Sequence, residues 1–273
     1  MRLEEIQRAL EAASAVSNHR QFVIAGSLSV LGLMVEPPPR MSMSIDIDFY
    51  PKNDPGRASE IAAVLGEDTE FHEKNGYYLD AVSPYLPVLP EGWEDRLVEV
   101  PLGHVTAYFL DVHDTAVSKY ARGALNDYRW IEAGYEAGLL KIETVEARVR
   151  FATNYFDDED RRKTNNGLLM HRAALRSDGV LAAGLLDFLH ANLPAGCIKE
   201  IDLDGGQYSG RVVWGDGLHA VQELADGDLA IHDIAAWGIK PEVNLVVTIA
   251  YENGRVDMSM MSQPKKDRGQ SCG

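Results

Sequence analysis

Asp46-Ile47-Asp48 is the densest chemical signal in the chain. The run Ile45-Asp46-Ile47-Asp48-Phe49-Tyr50 alternates apolar and acidic residues. A strand with that period sends both carboxylates to one face and Ile45, Ile47 and Phe49 to the other. Two ionised carboxylates side by side repel each other. A divalent cation relieves the repulsion, and Mg2+ is held by one or two carboxylates together with substrate phosphate oxygens. Upstream, Phe22-Val23-Ile24-Ala25 reads as a buried strand that Gly26-Ser27 interrupts. Gly26 lets the backbone approach a phosphate, and a helix starting there offers free N–H groups. Ser27 adds a hydroxyl. Tyr77-Tyr78-Leu79-Asp80-Ala81-Val82 alternates too, so Asp80 joins the pair if its strand is adjacent. Three acids around Mg2+ can neutralise a triphosphate and activate an attacking hydroxyl. An isolated Asp-x-Asp is more often a solvated strand face; the Gly-Ser turn and the third acid favour a metal site.

The elements that must position these residues follow from periodicity. Leu3, Ile6, Leu10 and Ala13 place an amphipathic helix over residues 3–18. A helix is expected over Leu28 to Met34, stopped by Pro37-Pro38-Pro39. Residues 56–66 fit another helix, and Val98–Val100 and Val105–Leu110 two strands. Residues 114–175 read as almost continuous helix, broken near Gly138 and around Asp157 to Lys163. After Pro194, short strand-like runs alternate with Gly and Asp turns at close intervals, the pattern of a small barrel or sheet. The expected organisation is α+β: a mixed sheet with helices and a helical bundle over residues 1–176, a linker over 177–195, a small mainly-β domain over 196–262 and a tail over 263–273.

The chain has 273 residues, 45% hydrophobic and 25% charged, which excludes long-range disorder and low-complexity architectures. Its 26 basic and 42 acidic residues give a net charge of −16, the opposite of a general nucleic-acid coat protein. Residues 180–262 hold four basic and twelve acidic residues, which argues against duplex DNA binding by that part. Two cysteines, Cys197 and Cys272, are too few for a disulfide framework and lack zinc-type spacing. The start, Met1-Arg2-Leu3-Glu4-Glu5, lacks an apolar signal core. Phe22 to Val35 is too short to span a bilayer. A cytoplasmic protein with no membrane partner is expected.

Phe22-Val-Ile-Ala-Gly26-Ser27 followed by Ile45-Asp46-Ile47-Asp48-Phe49 resembles the signature of the DNA polymerase β-like nucleotidyltransferases. More specifically, the chain resembles the minimal bacterial group related to the AbiEii toxins and to DUF6036. Tyr77 to Val82, Leu89-Pro90-Glu91-Gly92-Trp93-Glu94-Asp95-Arg96, and the segment with Asp114, Lys119, Arg122 and Asn126-Asp127 carry the resemblance further, over roughly residues 1–175. It implies that Gly26 and Ser27 hold an NTP, that Asp46, Asp48 and Asp80 hold Mg2+ (or Mn2+), and that Lys119 and Asp127 complete the site. Lys119 is then nucleotide-binding, and Asp127 a general base or a partner of Lys119; a helix-face salt bridge is the plainer alternative for that pair. The sequence departs from the pattern in two places. The stretch between Ser27 and Asp46 is long and Pro-rich, and Asn126 stands where a Lys is expected. Arg122 and Arg129 could contact phosphate or RNA, with surface ion pairs the plainer reading; Arg161-Arg162-Lys163 could approach an RNA, with a helix face paired with Asp157-Asp158-Glu159-Asp160 the more economical one.

Gln207-Tyr208-Ser209-Gly210-Arg211-Val212-Val213, His219-Ala220-Val221-Gln222, Ile231-His232-Asp233 and Pro241-Glu242-Val243 resemble the KfrB domain of plasmid-encoded proteins. His219 and His232 have no ligand spacing and read as core or surface histidines. Together the resemblances imply a Mg2+-dependent transfer of NMP from an NTP to RNA, including tRNA, or to a protein acceptor. A toxin of a toxin–antitoxin or phage-defence system on a mobile element is the implied setting, with a cognate antitoxin or plasmid protein as partner. The alternative is a catalytically silent nucleotide-binding scaffold for plasmid maintenance. A third reading, an antitoxin or regulator, lacks any basic recognition helix to support it.

Overall fold

The computed structural model describes residues 1–153, 156–176, 179–192, 196–238 and 240–260. The expected tail over 263–273, with Cys272, lies outside the described residues; Cys197 is half-buried. The chain forms two compact units, Met1–Leu168 with Leu175–Leu181, and Leu169–Ala174 with Ala182–Gly273.

In the first unit, helix α1 (Leu3–Ser17) buries Ile6, Ala9, Leu10 and Ala13 and ends on left-handed Asn18. Strand β1 (Gln21–Ile24) follows. Where a helix was expected over Leu28 to Met34, the chain makes a 3-10 segment, Gly26–Gly32. Two glycines, two serines and a β-branched valine disfavour the wider α-helix. Gly32 also has no room for a side chain, since a Cβ there would lie 2.4 Å from Cβ of Phe109. The Pro-rich stretch leads through the short helix α2 (Pro39–Ser42) into β2 (Asp46–Pro51). Helices α3 (Ala58–Leu65) and α4 (Glu70–Asn75) precede β3 (Tyr78–Ala81). A two-residue strand β4 (Leu89–Pro90), then β5 (Val98–Leu102) and β6 (Val105–Phe109), complete this part.

Five of these strands form one mixed sheet in the order β3-β2-β1-β6-β5. β1 runs antiparallel to β2 and parallel to β6, and β2 runs parallel to β3. The register sets Asp46 against Tyr78 and Asp48 against Asp80. Phe22, Ile24, Ile47, Phe49 and Leu79 are fully buried on the other face.

The helices after the sheet are α5 (Val112–Arg122), α6 (Leu125–Glu136), α7 (Ile142–Val149) and α8 (Asp158–Ala174). Asp114, with no exposed surface, accepts from Arg96 Nε at 2.8 Å and Arg148 Nη1 at 2.8 Å. The cluster 157–163 does not break the helix as expected; Asp158–Lys163 are the first turns of α8. Acids suit the positive N-terminal end of a helix, and Lys163 pairs with Glu159 one turn back at 2.8 Å. The break lies just upstream, where β7 (Ala152–Thr153) pairs antiparallel with β4.

The second unit contains a helix inside the expected linker. α9 (Ala183–Ala191) forms because its Ala and Leu residues are strong helix formers and Leu185, Leu186 and Leu189 have a core to enter. Strands β8 (Ile198–Lys199), β9 (Gln207–Gly215), β10 (His219–Leu224), β11 (Leu229–Asp233), β12 (Val246–Glu252) and β13 (Arg255–Met260) make one sheet, ordered β13-β12-β9-β10-β11-β8. No helix among the described residues is long and apolar enough to cross a membrane.

His232 is fully buried in this sheet. Its Nδ1 lies 2.8 Å from Tyr251 Oη and its Nε2 3.2 Å from Gln222 Oε1. Gln222 donates its amide to the carbonyls of Gly210 and Val247, so its oxygen faces the histidine. The neutral Nε2–H tautomer satisfies every partner. Burial pushes the imidazole down to about 4. A depressed histidine contributes stability that is present above its unfolded value near 6.5 and is lost as pH falls toward the folded value. Acidification from pH 7 to 4 is therefore expected to open this sheet by about 3 kcal/mol. Hydrogen exchange of β10, β11 and β12 measures it, and His232→Asn should flatten the profile.

Candidate active site

The three acids meet because of the register just described. One carboxylate oxygen from each of Asp46, Asp48 and Asp80 lies within 4.8 Å of the other two. Asp46 is oriented by the Ser44 hydroxyl, which donates to its Oδ1. Burial, then the charges of Asp46 and Asp80, push Asp48 up to about 6. Asp80 is raised by burial and by Asp46. Both shifts have the sign expected of carboxylates crowded together, and positive charge arriving among them would relieve that crowding. Three crowded oxygen donors on rigid strands fit Mg2+ or Mn2+.

The Gly-Ser turn is pinned directly onto this cluster. The Ala25 N–H donates to the Asp48 carbonyl at 2.9 Å. Gly26 then turns with φ +61°, and a Cβ there would lie 1.8 Å from Asp48 Oδ2. Only glycine permits both the turn and the approach.

Beneath the turn, α5 and α6 supply a buried polar network. Thr115 Oγ1 and Lys119 Nζ, one helical turn apart on α5, reach Ser29 Oγ at 2.9 Å and Ser27 Oγ at 3.0 Å. Lys119 Nζ also donates to Asp127 Oδ1 at 3.0 Å and sits 5.0 Å from the Trp130 ring centroid. Lys119 is only 4% exposed, and burial lowers its pKa against the opposing pull of Asp127. Asp127, resisting its own burial, is held below the usual range by Arg122 and Lys119. Arg122 bonds both Asp127 oxygens, its Nε to Oδ2 at 2.6 Å, while its side chain stays 68% exposed. Trp130 Nε1 donates to the Ser27 carbonyl at 3.0 Å and the Met41 carbonyl at 3.2 Å.

A cavity of about 440 Å³ opens over Gly26 and Asp48. Arg122, Lys163 and Asp160 line one part of it, and Val82, Leu86, Pro87 and Val88 another. Gly26, Ser27, Asp46, Asp48, Asp80, Lys119 and Asp127 are thus all brought together. Lys119, however, lies under the turn and is not part of the cavity wall. Arg129 is exposed and does not line this cavity. Sequence reasoning passed over Thr115, Ser29 and Trp130, although Trp130 stands one helical turn from Asp127. It took Lys163 only as part of the basic run 161–163, and not as part of this cavity.

Two family models match the chain. The KfrB domain matches residues 207–260. No curated protein matches. The other model, described as a nucleotidyltransferase of unknown function, DUF6036, matches residues 1–175. That match spans more than half the chain and contains every residue of the acidic cluster, the Gly-Ser turn and the network beneath it, so the chain belongs to the DUF6036 family of nucleotidyltransferases.

Proposed function

We propose that this nucleotidyltransferase moves a nucleoside monophosphate from an NTP to a hydroxyl of an RNA or protein acceptor. The observation that carries the reading is the carboxylate triad set against a turn that only glycine can make. Asp46, Asp48 and Asp80 would hold Mg2+ or Mn2+, which supplies positive charge to the phosphate oxygens. Ser27 accepts from Lys119, so its own O–H is free to donate to a phosphate oxygen. Arg122 and Lys163 face the cavity and counter the triphosphate charge. Asp80, the exposed acid with a raised pKa, takes the proton of the acceptor hydroxyl. That oxygen bonds to the α-phosphorus, the bond to the β-phosphate bridging oxygen breaks, and pyrophosphate leaves.

The resemblance to AbiEii-like toxins supports a role as the toxin of a toxin–antitoxin or phage-defence system, with an antitoxin or plasmid protein as partner. The test is a labelling screen. Wild-type protein and an Asp46→Ala variant are incubated with Mg2+, each α-labelled NTP, and tRNA, total RNA or extract protein. Label on one acceptor class with wild type alone is expected. Bound NTP with no label anywhere would replace this reading with a silent nucleotide-binding scaffold.

A further inference from the structure

We propose that a second cavity, beside the nucleotide cleft on the same sheet face, receives the 3′-terminal nucleotide of a single-stranded nucleic-acid acceptor; the inference rests on the transferase reading and names its acceptor. Tyr50 follows Asp46 and Asp48 on one face of β2 at two-residue steps, so it lies about 7 Å beyond Asp48. It aligns across the sheet with Val23 and Tyr108. The next cavity, about 260 Å³, opens over this row and is lined by Tyr50, Tyr85, Trp93, Lys52, Pro84 and Glu94, among others. The two cavities are parted by the segment 82–86. Val82 and Leu86 face the first and Pro84 and Tyr85 the second, and all four also line a third cavity of about 380 Å³ along the same segment.

Three features define the occupant. Tyr85 and the partly buried Trp93, above the buried Tyr50, suit a flat ring, and base–aromatic stacking holds single strands without requiring a basic surface. That matters in a chain of net charge −16. Tyr85 is 68% exposed although its backbone N–H is fastened to Ser83 Oγ at 3.2 Å, so it is a presented ring rather than a core residue. Lys52 Nζ rests 3.6 Å from the Tyr108 ring centroid, with no carboxylate among the described residues within 4.0 Å. An ammonium placed by a ring and left unneutralised is suited to a phosphate. A base in this cavity, one step along the strand from Asp48, leaves its sugar hydroxyl near the acids.

The test uses full-length protein and fluorescently labelled short single strands of RNA and of DNA with free 3′ ends. Binding is read by anisotropy, and NTP binding is measured separately. Tyr85→Ala is expected to weaken strand binding about tenfold. Tyr85→Phe should bind as wild type, and NTP affinity should not change in either. Lys52→Met should weaken binding and reduce its salt dependence. Because Tyr85 is exposed, its variants test the cavity without threatening the core. Binding of either strand that Tyr85→Ala weakens supports the cavity, and a preference between RNA and DNA names the acceptor. Unchanged strand binding by Tyr85→Ala, or a wild type that binds no strand and labels only protein, overturns it. A wild type that binds strands through Tyr85 yet binds no NTP would strike the transferase reading and leave the cavity standing.

Discussion

Asp48→Asn is expected to abolish nucleotide transfer, by about 10³-fold or more, and to make the metal-free protein more stable than wild type. The two effects have one origin. Asp48 lies between Asp46 and Asp80, and its elevation to about 6 measures how strongly the metal-free site resists its ionisation. A carboxyl whose folded pKa lies above its unfolded value near 3.8 contributes stability at low pH that is lost as pH rises to about 6. In the presence of a chelator, wild-type melting temperature should therefore fall across that window relative to Asp48→Asn. Mg2+ should raise the wild-type melting temperature and leave the variant nearly unmoved. Thermal unfolding from pH 4 to 7, with and without Mg2+, checks both signs. A variant less stable than wild type under every condition would show that Asp48 is a structural acid.

Lys119→Met should also lose transfer, but with the opposite effect on stability. The ammonium is enclosed by Ser27, Asp127 and Trp130, and its removal leaves Ser27 Oγ and Asp127 Oδ1 each short of a buried partner. Breaking a buried ion pair from one side costs about 3–5 kcal/mol. Asp127 keeps Arg122 on both oxygens, so the lower end, about 3 kcal/mol, is expected in urea unfolding. Asp48 and Lys119 are thus separable: one substitution relieves repulsion and the other creates a deficit. If Lys119→Met unfolded like wild type, the network beneath the turn would not be holding it.

Much of this was legible in the chain because short-range pattern determines it. The period-two alternation of Ile45–Tyr50 and Tyr77–Val82 set the faces of β2 and β3, and the amphipathic spacing of Leu3 to Ala13 set α1. What pattern could not show was the register of Asp48 against Asp80, which rests on pairing between strands separated by two helices. The burial of Lys119 was equally hidden. A lysine near a helix C-terminus looks solvated until α6 brings Asp127 and Trp130 over it. β4 and β7 are two residues each, too short for any periodicity, whereas β13 alternates strictly from Arg255 to Met260 and was legible but not read. The 3-10 segment Gly26–Gly32 was only half legible: its Gly, Ser and Val content disfavours an α-helix, but the close fit of Gly32 against Phe109 is a tertiary constraint.

The bond from Trp130 to the Met41 carbonyl bears on how the Pro-rich stretch can change over evolutionary time. Leu33, Val35 and Met43 on either side of it are exposed, yet one indole N–H fastens the stretch and the Gly-Ser turn together. Both acceptors are peptide carbonyls, which every residue type provides. The fastening therefore reads the path of the backbone and ignores the side chains on it. Lengthening or rewriting the exposed positions is compatible with an unaltered turn so long as Met41, whose side chain is fully buried, keeps its carbonyl in place. A segment built this way can diversify rapidly at the edge of a reaction centre without destabilising the centre itself.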